Sequence, residues 1–485
     1  MVRNGQAYIA GLKAQAKKTV WIAGRKIDDV TSDPVFLRPI EAIAALYDLQ
    51  TSSNHGIKMS VPDPDSNDSY GMSFLIPRSR EDLEDRRKAM AVWADATFGM
   101  VGRSPDYCNT VLMAFEETGF FKQLGEDFGK NLSNYYQHCK RNDLFLTHAI
   151  VNPQTDRSKS SGEQSNPYAH LRIVDKNADG LIVRGAKMLA THGPTADEII
   201  VYPLPGSVAQ NEEKYALAFG IPTDAAGLKF LCREPFDDGA MSKWDHPLGS
   251  RFEEPDAMVV FDDVLIPWER VFLHENVAMA NKLFTSASIQ NNTGHQTAVR
   301  GLAKCKFLVG VAIAVSRSVK TDVFLHVQEQ LGEILGFLQL IEGALYLSEM
   351  KAERTEGGAI RPAWPPLQSI RYHLPRMYER IVKVVQVIGA SGLLINPTRE
   401  DLTSEIGPDI AAYYRGASVD AESRIHLGKL AWDATGTQFG QRMVQYERYY
   451  AGDPVRVGAA LYTQQNVHEL LALVKRALSE DVMRL

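Results

Sequence analysis

The hydrophobic periodicity of this chain changes twice along its length, and that succession limits the folds open to it. From Asp82 to Lys140 the pattern is helical, with Leu83, Arg86, Met90, Val92, Trp93 and Phe98 recurring at mostly helical steps. Pro62–Gly71 is a loop rich in Pro, Asp, Ser and Gly, and an extended piece is expected near Trp21–Val30. Residues 146–274 carry short β-type runs between turn residues: Leu171–Val174, Leu181–Val183, Glu198–Tyr202, Tyr215–Phe219, Ala257–Phe261 and Val271–Leu273. Their spacing predicts an antiparallel sheet or barrel rather than βαβ units. After Glu275 long amphipathic helices return, over Ala298–Ser318, Val323–Glu353, Ser369–Gly389 and Ala421–Tyr450, enough for a helix bundle. The order α, β, α predicts an α+β chain of three units, residues 1–145, 146–274 and 275–485.

Several chemistries lack their motifs. There is no GxGxxG after a strand and no GxxxxGK[ST], so neither common phosphate cradle is supported. Gly389-Ala390-Ser391-Gly392 is not a nucleophile elbow, because Leu393 stands where GxSxG needs its second glycine. No HExxH occurs and the 12 histidines are dispersed, so no metal site is expected. Cys108, Cys139, Cys232 and Cys305 form no CxxC pair, which predicts free thiols in a reducing compartment. With 53 basic and 59 acidic residues and no long basic block, neither nucleic acid nor an anionic membrane is an expected partner. Met1–Gly24 is mixed polar and unlike a signal peptide. The longest uninterrupted apolar run, Phe307–Val315, is far below the ~20 residues of a membrane span. A cytoplasmic protein handling small molecules is expected.

Chemistry-bearing residues concentrate in a few segments. They are Gly102-Arg103-Ser104-Pro105-Asp106-Tyr107, the stretch from Thr147-His148 through Gln154-Thr155-Asp156-Arg157, and Lys187-Met188-Leu189-Ala190-Thr191-His192-Gly193. Late in the chain Gln386, Gly389 and Gly392 form a QxxGxxG element. Arg103 and Tyr107 would share one helix face, and Pro105 between them favours a helix start. Taken singly, Arg103 reads equally as a salt-bridge partner, Tyr107 as a packed aromatic and His148 as a structural histidine. Gln154–Arg157 and Thr191 also read as ordinary turn chemistry, and the QxxGxxG element as a helix C-cap with glycines at positive φ. Lys187 stays open between a solvated charge and a site residue.

These strings, with Gly24–Pro34 (GRKIDDVTSDP) and Tyr446–Pro454 (YERYYAGDP), closely resemble the 4-hydroxyphenylacetate 3-hydroxylase family over nearly the whole chain. That family includes chlorophenol monooxygenases and, more distantly, 4-hydroxybutyryl-CoA dehydratase. The resemblance implies an acyl-CoA dehydrogenase-like fold: N-terminal helical domain, central antiparallel β-barrel and C-terminal four-helix bundle. It implies the oxygenase component of a two-component monooxygenase, using reduced FAD and O2 to hydroxylate a phenol beside its hydroxyl through a flavin C4a-hydroperoxide. A separate NAD(P)H:flavin reductase would deliver the FAD, 4-hydroxyphenylacetate is the lead substrate, and a homotetramer is expected.

By the same resemblance Arg103, Tyr107 and His148 surround the phenolic hydroxyl as charge, hydrogen-bond donor and general base. Gln154, Thr155, Asp156, Arg157 and Thr191 run along the flavin, while Gln386, Gly389 and Gly392 meet the adenosine or pyrophosphate end, often from a neighbouring subunit. His295 is a second candidate near the phenol, and Arg300, in the first turn of a helix from Ala298, a candidate for the pyrophosphate. The loop Pro203–Val208 leaves Ser207 as the one hydroxyl for a substrate carboxylate, so a halophenol or another phenol is the alternative. An acyl-CoA dehydrogenase would need a bundle carboxylate such as Glu329, Glu333 or Glu342, and a dehydratase would need cluster ligands beyond Cys108 and Cys305.

Overall fold

The computed structural model describes residues 2–478 apart from Ala16 and Asp65, so the outermost residues of the first and third expected units lie outside the described residues. The N-terminal helices are α1 (Gly5–Ala14), α2 (Pro34–Thr51), α3 (Arg80–Ala96), α4 (Pro105–Thr118) and α5 (Glu126–Asn142). Local chemistry sets their ends. Ser79 and Asp82 form a capping box at the start of α3. Pro105 occupies the first turn of α4, and Gly119 ends it in the left-handed region at φ 56°. The extended piece expected near Trp21 is a hairpin, β1 (Thr19–Ile22) and β2 (Arg25–Ile27), and a second hairpin joins β3 (Ser60–Pro62) to β4 (Ser69–Gly71).

The middle of the chain supplies β5 (Leu146–Ala149), β6 (Arg172–Lys176), β7 (Gly180–Thr191), β8 (Glu198–Val201), β9 (Leu217–Pro222), β10 (Leu228–Cys232), the short α6 (Gly249–Phe252), β11 (Asp256–Pro267) and β12 (Val271–His274). They form two open sheets, ordered β2-β1-β10-β11-β7-β6 and β12-β9-β8-β5. The expected closed barrel is therefore corrected: no ladder among the described residues joins the outer strands of one sheet to those of the other. The sheets meet instead at a corner between β5 and β7. There the Thr147 hydroxyl donates to the Thr191 carbonyl at 2.6 Å and Val151 bridges Met188. Leu189, at φ 66°, breaks the regular course of β7 beside this corner.

The C-terminal helices are α7 (Val277–Ser286), α8 (Ile289–Ser318), α9 (Leu325–Met350) and α10 (Trp364–Gly389). After them come α11 (Arg399–Leu402), α12 (Gly407–Tyr413), α13 (Ala421–Thr435), α14 (Gln438–Tyr450), α15 (Pro454–Thr463) and α16 (His468–Ala477), with a small hairpin of β13 (Glu353–Arg354) and β14 (Ile360–Arg361) after α9. Helices α8, α9, α10 and α13 pack together as a four-helix group. Close approach is built in at Gly301, where a Cβ would come within 2.4 Å of Leu374 Cδ2. The expected single helix Ala421–Tyr450 is two, because the Thr437 hydroxyl accepts from Gly440 N and starts α14 afresh.

One buried apolar cluster runs through all three regions, from Tyr8 and Phe36 through Phe230 and Val259 to Tyr378 and Met443. A second, rich in aromatics, holds Tyr107, Phe115, Phe121, Tyr135, Tyr202 and Phe272 between α4, α5 and the smaller sheet. Helix α9 is apolar and long enough to cross a membrane by length and composition alone. It nevertheless packs on α8 and α10 with Ile334, Ile341 and Leu345 buried, and Glu333 pairs with Arg380. That is the behaviour of a bundle helix with a second apolar face.

Candidate active site

Arg103, Tyr107 and His148 do come together. Arg103 sits just before α4, where Ser104 takes the N-cap position and Pro105 starts the helix, which turns Tyr107 toward β5. The Tyr107 and His148 rings meet edge to face with centroids 5.6 Å apart. His148 Nδ1 lies 3.1 Å from the hydroxyl of Tyr202, which follows β8; the parallel pairing of His148 with Ile200 sets that distance. All four side chains are buried. Burial, with the Arg103 charge added, holds His148 well below the usual histidine range, so the imidazole is neutral at pH 7.

Helix α14 closes this site from the far end of the chain. The Arg103 guanidinium lies 4.1 Å from the ring centroids of both Tyr107 and Tyr450. Beneath it, Glu254 accepts the backbone N–H groups of Gly102 and Arg103 at 2.8 Å each, and its other oxygen accepts from Arg442 at 3.0 Å. Arg442 also donates two bonds of 2.9 Å to Asp256, which accepts the Thr191 hydroxyl at 2.8 Å. Burial works to raise the Asp256 carboxyl, but Arg442 and Arg233 outweigh it and hold it below its ordinary value. A single buried network thus couples the Arg103 turn to Thr191. Glu254, Asp256, Arg442, Tyr202, Tyr446 and Tyr450 carry no local signal for this role. Only Tyr446 and Tyr450 fall in a string that stood out, YERYYAGDP.

The flavin candidates form a second surface. Gln154, Thr155, Asp156 and Arg157 are exposed on the loop after β5. Its root is tied down: Lys187 Nζ donates to the Asn152 side chain at 2.7 Å and to the Ile150 carbonyl, and Thr155 donates to Gln164 at 2.7 Å. Lys187 is buried, pairs with no carboxylate among the described ion pairs, and is pushed down to about 7 by burial. A buried amine that takes up its proton near neutral pH, beside a loop of exposed polar side chains, suits an electron-rich reduced flavin, so these residues fit that group. In the QxxGxxG element Gln386 donates to the Thr435 carbonyl at 3.0 Å. The positive φ expected of its glycines falls on Ala390, at 46°, while Gly389 is right-handed.

Three candidates lie elsewhere. His295 Nε2 meets Glu349 at 2.8 Å between α8 and α9, Glu349 also holds Arg87, and burial outweighs the carboxylate to keep His295 below its ordinary value. Among the described residues no hydrogen bond, ion pair or ring contact joins His295 to Arg103, Tyr107 or His148. Arg300 is not in a first turn, because α8 begins at Ile289; it is buried and doubly bonded to Glu447 at 2.6 and 2.9 Å, with Nε alone left without a partner. Ser207 is exposed, and its hydroxyl turns back to the Leu204 carbonyl at 2.7 Å rather than toward the phenol candidates.

The rival chemistries lack support in the geometry. Glu333 and Glu342 pair with Arg380 and Lys306 on the helix flanks. The Cys108 and Cys305 thiols sit on different helices, each pushed up to about 12 by burial, which disfavours the thiolate a cluster needs.

Family profiles described as 4-hydroxyphenylacetate 3-hydroxylase N terminal and C terminal match residues 4–273 and 280–479. A 4-hydroxyphenylacetate 3-monooxygenase oxygenase component of Thermus thermophilus is 39% identical over 99% of this chain and 98% of its own. A 4-nitrophenol 2-monooxygenase oxygenase component of a Rhodococcus species is 32% identical over 97% of this chain and 90% of its own. The crystal structure of a 4-hydroxyphenylacetate 3-monooxygenase oxygenase component complexed with FAD and 4-hydroxyphenylacetate superposes with a TM-score of 0.93 at 39% identity, covering 99% of each chain. A 4-hydroxybutyryl-CoA dehydratase from N. maritimus, 22% identical with a TM-score of 0.88, shares the fold. Over both its halves, the chain belongs to the 4-hydroxyphenylacetate 3-hydroxylase family.

Proposed function

We propose that this chain is the oxygenase component of a two-component monooxygenase that uses reduced FAD and O2 to hydroxylate a phenol beside its hydroxyl, with 4-hydroxyphenylacetate as lead substrate. The observation that carries the reading is a buried guanidinium, Arg103, paired with no carboxylate among the described residues and grouped with Tyr107 and a neutral His148. A phenol is far more reactive at its ortho carbon as phenolate, and in water it ionises near ~10. Arg103 stabilises the phenolate oxygen and Tyr107 donates a hydrogen bond to it. His148 accepts the proton at Nε2, a role that requires its Nδ1–H to be donated to Tyr202. The aromatic walls exclude water from the reacting carbon.

Reduced FAD, when bound, supplies the electrons that activate oxygen. In this reading the Gln154–Arg157 loop, Lys187 and Thr191 hold the flavin ring, and the QxxGxxG end of α10 meets its distal end from a neighbouring subunit. Delivery of FAD falls to a separate NAD(P)H:flavin reductase. A homotetramer is favoured by the apolar residues left on the outside of the helix group: Leu325 is 81% exposed, Leu340 60%, Met350 68% and Leu394 68%.

A second reading, a halophenol or other phenol without a carboxylate, is favoured by the placement of Ser207. The test is purified protein with chemically reduced FAD, oxygen and a panel of phenols. Catechol from 4-hydroxyphenylacetate is the expected product. Turnover of a halophenol alone moves the substrate to the second reading. Hydrogen peroxide with no hydroxylated product from any phenol sinks both.

A further inference from the structure

A buried cation is held in one of two ways. A carboxylate neutralises it, or aromatic faces stabilise it while leaving its charge in place. Arg103 is held in the second way. Its guanidinium lies 4.1 Å from the Tyr107 centroid, 4.1 Å from the Tyr450 centroid and 5.8 Å from that of Tyr446. Its NH1 nitrogen is buried without a hydrogen-bond partner, and none of the described ion pairs involves Arg103. The nearby carboxylate, Glu254, is used by two backbone N–H groups and by Arg442.

The titratable groups that face Arg103 are Tyr107, Cys108, Tyr202, Tyr446, Tyr450 and His148. Burial keeps all of them neutral: it raises the phenols and the thiol and lowers the histidine. Among these groups Arg103 alone is charged at neutral pH.

The two α14 tyrosines are fitted closely to the Arg103 turn. The Tyr450 hydroxyl donates to the Gly102 carbonyl at 2.8 Å, and the Tyr446 ring lies so near Gly102 that a Cβ there would come within 2.3 Å of Cε1. Tyr450 is itself anchored, with the Arg300 guanidinium 4.4 Å from its centroid and Arg300 neutralised by Glu447.

We propose that Tyr450, with Tyr446, is a positioning residue that keeps Arg103 an unpaired cation, so that its charge and its free NH1 are available to a phenolate. The inference rests on the phenol reading of the site. It assigns to the C-terminal helix region a part in activating the substrate.

The test uses 4-nitrophenol, whose phenol and phenolate forms absorb at different wavelengths, titrated against pH in complex with the whole protein. In the wild type the bound probe should ionise at lower pH than the free probe. Tyr450→Leu should return this toward the free value by about one pH unit, a tenfold change in ionisation constant. Tyr450→Phe, which keeps the ring, should retain the wild-type value, and Arg103→Met sets the limit of the effect. Should thermal unfolding show that Tyr450→Leu does not fold, pentafluorophenylalanine at position 450 keeps the shape, reverses the ring's charge distribution and must reproduce the shift. A bound ionisation unchanged by ring removal or fluorination, while Arg103→Met moves it, overturns the role of Tyr450. If the wild type leaves the probe at its free value and Arg103→Met changes nothing, the phenolate reading itself falls and this inference falls with it.

Discussion

At the scale of single residues, burial sets the charge states on which the chemistry depends. His148 is neutral because desolvation, helped by the Arg103 charge, pushes it down. A base must be unprotonated to accept, and a depressed histidine stays so to more acidic pH. The acid limb of kcat/KM should therefore lie below the ordinary histidine value of ~6.5, and His148→Asn should cost about 10²- to 10⁴-fold in kcat/KM. A limb at or above that pH would refute the neutral-base role. Lys187 offers a stability counterpart. Its folded value of about 7 lies below the unfolded ~10.4, so between them the unfolded chain binds the extra proton and stability rises with pH. Below pH 7 the destabilisation is fully present. Lys187→Met should remove that component of the rise and be the more stable protein at pH 7, on the order of 1 kcal/mol or more. Urea midpoints of both proteins from pH 6 to 9 that run parallel would show that the buried charge has no such effect. Arg103, Tyr107 and His148 were legible in the sequence because each lies in a distinctive string. Glu254, Asp256 and Arg442 were not, because their function arises only when segments separated by 65 to 188 residues meet. The placement of His295 and Arg300 was not legible for a related reason. The polar run before Ala298 resembles a loop, yet it is helix from Ile289, and both side chains pair with distant carboxylates.

At the scale of elements, the site depends on how closely α8 and α14 approach the turn between α3 and α4. Gly99 marks that contact: its φ is +66°, and a Cβ there would lie 2.7 Å from both the Arg300 carbonyl and Lys304 N. Backbone cannot retreat as a flexible side chain does. Gly99→Ala should therefore destabilise by more than ~2 kcal/mol, combining left-handed strain with displacement of α8. It should also weaken phenol binding, since Arg103 follows four residues later. A urea midpoint within error of wild type would mean that the contact is slack. The elements themselves were largely readable, because long amphipathic helices and short punctuated strands carry periodic signals. Strand pairing was not readable. The β1–β2 hairpin from the N-terminal region joins the larger sheet through parallel pairing with β10, and the smaller sheet is held to it at the Thr147–Thr191 corner. A side-chain bond and a bulge leave no periodic trace, so two open sheets cannot be told from a barrel by spacing.

At the scale of the whole molecule, the proposed phenol site draws on the turn before α4, on β5, on the end of β8 and on α14, so no single region of the chain builds it. The proposed flavin surface has the opposite character. Gln154–Arg157 stand exposed, and the Gln386–Gly392 element ends beside Leu394 and Ile395, which are 68% and 60% exposed. Apolar exposure of that extent beside a candidate cofactor element is costly for an isolated chain and would be relieved by a second copy. Assembly and FAD binding should then be linked, each strengthening the other. Sedimentation velocity is expected to give a species near four times the 53.9 kDa chain mass. Leu340→Glu on the outer face of α9 should shift it to smaller species, with at least a tenfold weaker association, ~1.4 kcal/mol. The same variant should bind reduced FAD more weakly at low protein concentration and recover as concentration rises, while 4-nitrophenol binding by folded protein stays within about twofold of wild type. FAD affinity independent of protein concentration would place the whole flavin site within one chain and remove the partner-supplied role of Gln386, Gly389 and Gly392. A single 53.9 kDa species at micromolar concentration would remove the assembly with it.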